Sequence, residues 1–241
     1  MTVKTRLTYS ALAALFTALA ATTALADSTQ ARYDVRLIGA KVGEMAMAST
    51  ETASAYSTRA RFATTGAMSA LKQASFDLSV QGRKSGNRFV PSSYSEVTSE
   101  GGRRSTNLKI GFSGGVATRV TGDTGSSAPA VNPRTLPGAY DPLTALYAAL
   151  RDQDPGELCS LNADVYDGHR HARLSLTSRK ALDGGRVQCS GQYRRIAGYS
   201  QRELRHSTAP VSIVYVPQGN TMRADSVVVR TRYGQVSMHR R

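Results

Sequence analysis

Apolar and polar residues alternate along most of this chain after residue 32, and a turn interrupts the alternation about every ten to fifteen residues. That period of two is the mark of strands with one buried face. Tyr33, Val35 and Leu37 alternate with Asp34 and Arg36; Ile38 to Gly43 reads as a turn, and Met45 and Met47 begin the return. Tyr56, Thr58, Ala60 and Phe62 fall on one face, as do Phe76, Leu78 and Val80. Thr106, Leu108, Ile110 and Phe112 lead into a turn at Ser113-Gly114-Gly115, and Val116, Thr118 and Val120 come back. Further on, Ala163 to Tyr166 reads as a strand, Asp167-Gly168 as a turn and Ala172, Leu174 and Leu176 as the return. After a turn at Asp183-Gly184-Gly185, Val187, Cys189, Gly191 and Tyr193 form another strand. Val211, Ile213 and Tyr215, then Val227, Val229, Thr231 and Tyr233, form the last ones. Turns this regular predict an antiparallel meander rather than βαβ units.

One stretch departs from the pattern. Asp141 can accept from the free N–H groups of a helical first turn, and Pro142 suits the first helical position. Leu143, Leu146, Tyr147 and Leu150 then follow at helical spacing until Asp154-Pro155-Gly156. A shorter helical turn is expected over 68–73, and the Gly-, Ser-, Ala- and Pro-rich stretch 122–138 reads as a loop, a candidate hinge between two parts of one sheet. A sheet of this size must dispose of its edges, and one apolar helix is too small to cover it flat. The expected fold is therefore mainly all-β: a curved antiparallel sheet forming an open or nearly closed barrel, with one α-helix near 141–152 packed against it.

The first 26 residues have the three parts of a secretory signal peptide. Lys4 and Arg6 precede an uncharged Ala- and Leu-rich run, and Ala24-Leu25-Ala26 places small residues where a signal peptidase reads, so cleavage is expected between Ala26 and Asp27. The run is shorter and richer in Thr and Ser than a membrane-spanning helix. No Cys follows the site and no Arg pair precedes the run, which argues against a lipoprotein anchor and against twin-arginine export. The expected product is a single β-rich periplasmic domain, 27–241, with no membrane span. The whole chain carries a formal charge of +14, and loss of Lys4 and Arg6 leaves +12. Export makes nucleic acid an improbable partner for that charge. It leaves an anionic envelope lipid, lipopolysaccharide, acidic glycans or an envelope protein as candidates, against the simpler reading of a solvated basic surface.

The two cysteines, Cys159 and Cys189, are expected to form one structural disulfide in an oxidising compartment. Both fall in stretches read as neighbouring strands. No Cys-x-x-Cys redox pair is present, and two cysteines are too few ligands for a metal site.

Four stretches together resemble a bacterial family of exported envelope proteins, domain-of-unknown-function family 3108. They are Tyr33-Asp34-Val35 through Gly39-Ala40-Lys41-Val42-Gly43-Glu44; Asp141-Pro142-Leu143-Thr144-Ala145-Leu146-Tyr147 with Leu150-Arg151; Val165-Tyr166-Asp167-Gly168 with Arg170; and Tyr233-Gly234-Gln235-Val236. The resemblance implies a periplasmic β-rich domain with no assigned activity and no catalytic residues to carry over.

Three patterns could carry chemistry. Gly111-Phe112-Ser113-Gly114-Gly115 matches the G-x-S-x-G nucleophile pattern, and Asp141 and His169 follow in hydrolase order. That mechanism needs the serine on a strand-to-helix turn, whereas Val116 to Val120 alternate as a strand. His169 and His171 would share one strand face, a spacing used for metals, but Arg170 and Arg173 flank them and repel a cation. Tyr33, Tyr56, Tyr94, Tyr193, Tyr199, Tyr215 and Tyr233 could line a concave surface suited to an acyl chain, or could be sheet core. The reading favoured by these observations is a non-enzymatic periplasmic protein binding a lipid-like or protein envelope component on a curved β surface, with no catalytic residues, cofactor or metal. A periplasmic hydrolase acting on an envelope polymer and a purely structural envelope-integrity protein are the alternatives.

Overall fold

The structure is a computed structural model in which residues 27–101, 104–125 and 128–241 are described. The proposed signal peptide, with Ala26, and Arg103 lie outside the described residues. The first half contains β1 (Asp27–Leu37), β2 (Ala40–Glu51), β3 (Ala55–Thr64), the short helix α1 (Ala67–Leu71), β4 (Ala74–Ser85), β5 (Arg88–Glu100), β6 (Arg104–Ser113) and β7 (Val116–Gly122). After a loop come α2 (Pro142–Leu150), β8 (Leu161–Tyr166), β9 (His171–Ala181), β10 (Val187–Ala197), α3 (Gln201–Leu204), β11 (Thr208–Gln218), β12 (Thr221–Thr231) and β13 (Gly234–Arg240). The described strands form one 13-stranded sheet in the order β7-β6-β5-β4-β3-β2-β1-β13-β12-β11-β10-β9-β8. All neighbouring strands are antiparallel, so the expected meander is present, and β1 sits in its middle, between β2 and β13.

The sheet curls but does not close by strand pairing, since β7 and β8 remain its two ends. The loop between them fills the seam. Tyr140 lies parallel to β8, accepting from Tyr166 N at 2.8 Å and donating to Asp164 O at 2.9 Å. Two residues earlier, Gly138 N donates to Gly115 O in the β6–β7 turn at 2.7 Å. From the other side, the β8–β9 turn presses Gly168 against β6 and β7. A Cβ there would lie 3.2 Å from Leu108 Cδ1 and 3.3 Å from Val120 Cγ1, and its φ of +94° also favours glycine. The stretch expected as a candidate hinge is thus stitched to both ends of the sheet.

The helix lies where Asp141 and Pro142 place it, with Asp141 as N-cap, and it ends at Leu150, slightly before the expected boundary. It is more deeply buried than its Leu–Leu–Tyr–Leu spacing predicts. Ala145, Ala148, Ala149 and Thr144 are buried along with Leu143, Tyr147 and Leu150. The small alanines let strands approach on several sides, and α2 touches β3, β4, β5, β8 and β12. It is a plug in the concave side of the sheet, not a cap on one face.

Other details correct the sequence reading. The first turn is only Ile38-Gly39, and β2 already begins at Ala40. Tyr233 belongs to no strand: it sits 67% exposed in the turn before β13. Cys159 also lies outside the strands, in the turn before β8 with φ +63°, and β9 separates β8 from β10, where Cys189 sits. The two cysteines are nevertheless bonded, with Cα atoms 5.0 Å apart.

Candidate functional site

The inner side of the sheet is organised around α2. Asp141 accepts from Leu143 N at 3.0 Å, Thr144 N at 2.9 Å and Thr144 Oγ1 at 2.5 Å. Because the Thr144 hydroxyl proton points at Asp141, the 2.6 Å contact between Thr144 Oγ1 and Tyr56 Oη is a donation by Tyr56. Tyr147 Oη donates to Glu51 Oε2 at 2.5 Å, and Lys84 Nζ bonds the other oxygen of Glu51. Tyr215 Oη donates to the helix carbonyl of Ala149 at 2.6 Å. Burial raises the Asp141 carboxyl to about 6, against the lowering effect of the Thr144 hydrogen bonds. For Glu51, burial acts upward but the Lys84 and Tyr147 hydrogen bonds win, and its pKa is lowered. These polar groups are mutually satisfied, so they fix the helix rather than await a ligand.

The tyrosines divide accordingly. Tyr33, Tyr56, Tyr94 and Tyr215 are core residues. Tyr193 and Tyr199 bond each other at 3.0 Å beside Arg170 and Arg195. No continuous tyrosine-lined channel is formed by the seven, because α2 occupies the space that Tyr56 and Tyr215 face.

The patterns read as chemistry are dispersed. Ser113 is the exposed last residue of β6, followed by the Gly114-Gly115 turn and β7. Asp141 is fully buried at the helix start, and no hydrogen bond joins it to Ser113 or His169 among the described residues. His169 precedes β9, so it does not share a strand face with His171. It is buried, with Nε2 2.7 Å from Ala128 O and Nδ1 3.4 Å from Thr124 Oγ1, whereas His171 Nε2 contacts Asp164 Oδ1 at 2.7 Å. The seam loop folds over His169 and buries it.

An open recess lies on the other face of β1–β7. It is a trough of about 940 Å³ crossing these strands. The register builds its floor in two rows. One row is Ala48, Arg59, Ser79, Ser95, Lys109 and Thr121 on successive strands β2 to β7; the neighbouring row holds Thr50, Ser57, Gln81, Ser93, Gly111 and Arg119. Ser79 Oγ and Ser95 Oγ are 2.8 Å apart at the centre. Register shifts at Gln81/Gly82 and Gly111/Phe112 mark bulges that bend the strands here. Gly82 is needed at the first: a Cβ would sit 2.4 Å from Val90 O and 2.6 Å from Tyr56 Cε1.

The charge in this trough is one-sided. Arg59, Lys109 and Arg119 line it, no carboxylate does, and among the described residues none of the three has an ion-pair partner. A smaller depression of about 420 Å³ adjoins it, sharing Ala48, Arg59, Ser79 and Ser95. Its outward side chains include Ala46 and Val97, the latter 41% exposed, and the Arg61–Asp77 pair at 3.3 Å. Sequence reasoning passed over these cations because each reads as an ordinary polar interruption of its own strand. The signal that could have found them is the strand pairing, which lines up separate interruptions.

A curved, incompletely closed all-β sheet plugged by one helix and bearing a basic outer trough defines a barrel-like β protein. The chain belongs to the family described as protein of unknown function (DUF3108), whose model matches residues 32–190. No curated protein matches the chain. Solved structures similar to it include the following two. A beta-barrel-like protein of domain of unknown function DUF1849 from Brucella abortus is 13% identical, with 88% of this chain and 94% of that chain covered and a TM-score of 0.49. A DUF1329 family protein from Desulfovibrio piger is 9% identical, with 91% and 85% covered and a TM-score of 0.23. No helix among the described residues is long and apolar enough to cross a membrane.

Proposed function

We propose that this is a non-enzymatic periplasmic protein that binds an anionic envelope component on the outer trough of its curved β scaffold. The observation that carries the reading is the set of three cations, Arg59, Lys109 and Arg119, in one hydroxyl-lined recess without a carboxylate. Charged side chains in a concave recess attract and hold an oppositely charged ligand, and the surrounding Ser and Thr hydroxyls can both donate and accept. The inner face supports the same reading by contrast, since Tyr56, Tyr215 and Glu51 are already engaged with α2. Export rests on the leader pattern, and the Cys159–Cys189 bond is in keeping with an oxidising compartment.

The test is mass spectrometry, under native conditions, of the protein purified from its own periplasm. The expected result is an N-terminus at Asp27 and a co-purifying anionic species released by high salt. Recovery in the cytoplasm with Met1 retained would overturn the location. Periplasmic protein free of any co-purifying species, with no anion binding at low salt, would overturn the binding role.

A further inference from the structure

We infer that the ligand of the trough is the headgroup of an anionic glycolipid carrying two phosphates separated by a disaccharide-sized, hydroxyl-rich unit. This rests on the binding role proposed above and names the chemistry of its ligand. The spacing of the cations is the first argument. Arg59 on β3 and Lys109 on β6 occupy the same cross-strand row with Ser79 and Ser95 between them. Three strand spacings put their backbones about 14 Å apart. Arg119 stands in the next row, paired with Gly111, so the β6–β7 end of the trough holds two cations and Arg59 stands apart from them on β3. One phosphate at each end, with sugar hydroxyls over the paired Ser79 and Ser95 between them, uses every charged group lining the trough. A single small anion could engage only one end. Arg suits phosphate because its planar fork gives two parallel hydrogen bonds, and Lys adds a point charge.

The adjoining depression supplies the second argument. It is the more apolar of the two recesses, and it opens beside Arg59 through the shared Ala48, Ser79 and Ser95. Ala46 and Val97 stand on the outer face there, where a sheet normally presents polar residues, in one cross-strand row with the Arg61–Asp77 ion pair between them. The first carbons of an acyl chain leaving the headgroup would cover them. A free phosphorylated sugar would leave Val97, 41% exposed, uncovered.

The experiment is co-flotation of the full mature protein with phosphatidylcholine vesicles doped with bis-phosphorylated lipid A, with its monophosphorylated form, or with phosphatidylglycerol at matched total charge. The bis-phosphorylated form is expected to bind at least about tenfold tighter than the other two, since the second phosphate adds a charge-assisted contact of its own. Arg59→Ser should abolish the preference for the second phosphate, and Val97→Asp should weaken vesicle binding while leaving capture of the deacylated, water-soluble headgroup intact. Arg202→Ser with Arg205→Ser, on exposed α3 and just after it, controls for loss of charge alone and should change neither. Equal binding to all three charged vesicles, or equal loss in the α3 control, would overturn the inference. If none of these lipids binds while a different envelope molecule co-purifies from the periplasm, the inference falls and the binding role stands; if nothing binds in either experiment, both fall.

Discussion

The two faces of β1–β7 are made by the same strands and use polar residues in opposite ways. Inward, Tyr56, Glu51 and Lys84 each meet a partner on α2 or on a neighbouring strand. Outward, Arg59, Lys109 and Arg119 share a recess with hydroxyls and with no carboxylate. A buried polar group must be paired or it costs stability, so pairing inside is what folding requires. An exposed cation is solvated already and needs no partner to fold, so gathering three of them in one trough is not explained by stability. The inner face therefore accounts for the fold, and the outer face is where binding is expected.

The contrast breaks most sharply at the helix. Leu143 is fully buried on α2, and Leu143→Ala should cost about 2–5 kcal/mol, read as a lower denaturant midpoint. A loss below about 1 kcal/mol, as at ordinary surface positions, would mean that α2 is not the plug the inner face depends on. Next in size is the disulfide, which closes a separation of 30 residues. In the chain-entropy model Cys189→Ser should cost up to about 3–4 kcal/mol. Reduction should speed amide exchange at Leu146 and Leu150 before it does so in β2 and β3, because the bond ties the turn just after α2 to β10.

Smaller again is the effect of the polar cap. Thr144→Val keeps the shape but leaves an Asp141 oxygen and the Tyr56 hydroxyl without their contact, at a cost of about 1–3 kcal/mol. The same network predicts a pH dependence. Asp141 is raised from 3.8 to about 6 by burial, so the folded state binds the proton more tightly than the unfolded one. Its contribution is fully present below about pH 4 and is lost as pH rises through about 6. Glu51 and Asp164, whose pKa values are lowered, act in the other sense and favour the fold once the pH is above their ordinary range. Asp141→Asn should flatten the fall in stability between about pH 4 and 6 while leaving the acid limb in place. An unchanged slope in urea titrations across that range would show that the carboxyl is not the source.

The inner face was largely legible in the sequence because each of its features is local. Asp141-Pro142 announces a helix start by its own chemistry, and alternation such as Tyr56, Thr58, Ala60 marks a buried face within one strand. What was missed depends on neighbours distant in sequence. Final strand β13 is not evident in the sequence because Ser237, His239 and Arg240 dilute its alternation; it is held by pairing with β1 at the far end of the domain, from Tyr33↔Arg240 to Leu37↔Val236. Burial of Ala145, Ala148 and Ala149 was likewise invisible, because small residues take a face only when a second surface arrives. The trough is the extreme case: Arg59, Lys109 and Arg119 are 60 residues apart from first to last and become neighbours only through the register of five strands.

The smallest expected effect is also the one that most directly tests the division between the faces. Arg59→Ser and Lys109→Ser remove exposed cations with no ion-pair partner among the described residues, so each should change stability by no more than about 0.5 kcal/mol. The sign should lean towards stabilisation for Lys109. Its neighbour across the β6–β7 pair is Thr121, two residues along β7 from Arg119, so Lys109 and Arg119 are diagonal neighbours, and like charges at that distance repel. Such a gain should be largest at low ionic strength and shrink as salt screens the repulsion. Thermal unfolding of the wild type and Lys109→Ser at low and high salt measures both points at once. A destabilisation above about 1 kcal/mol would place Lys109 among the groups the fold needs, and the outer face would then differ from the inner one only in exposure. A neutral or slightly raised melting temperature, converging at high salt, leaves Lys109 with no structural duty and keeps the two faces distinct.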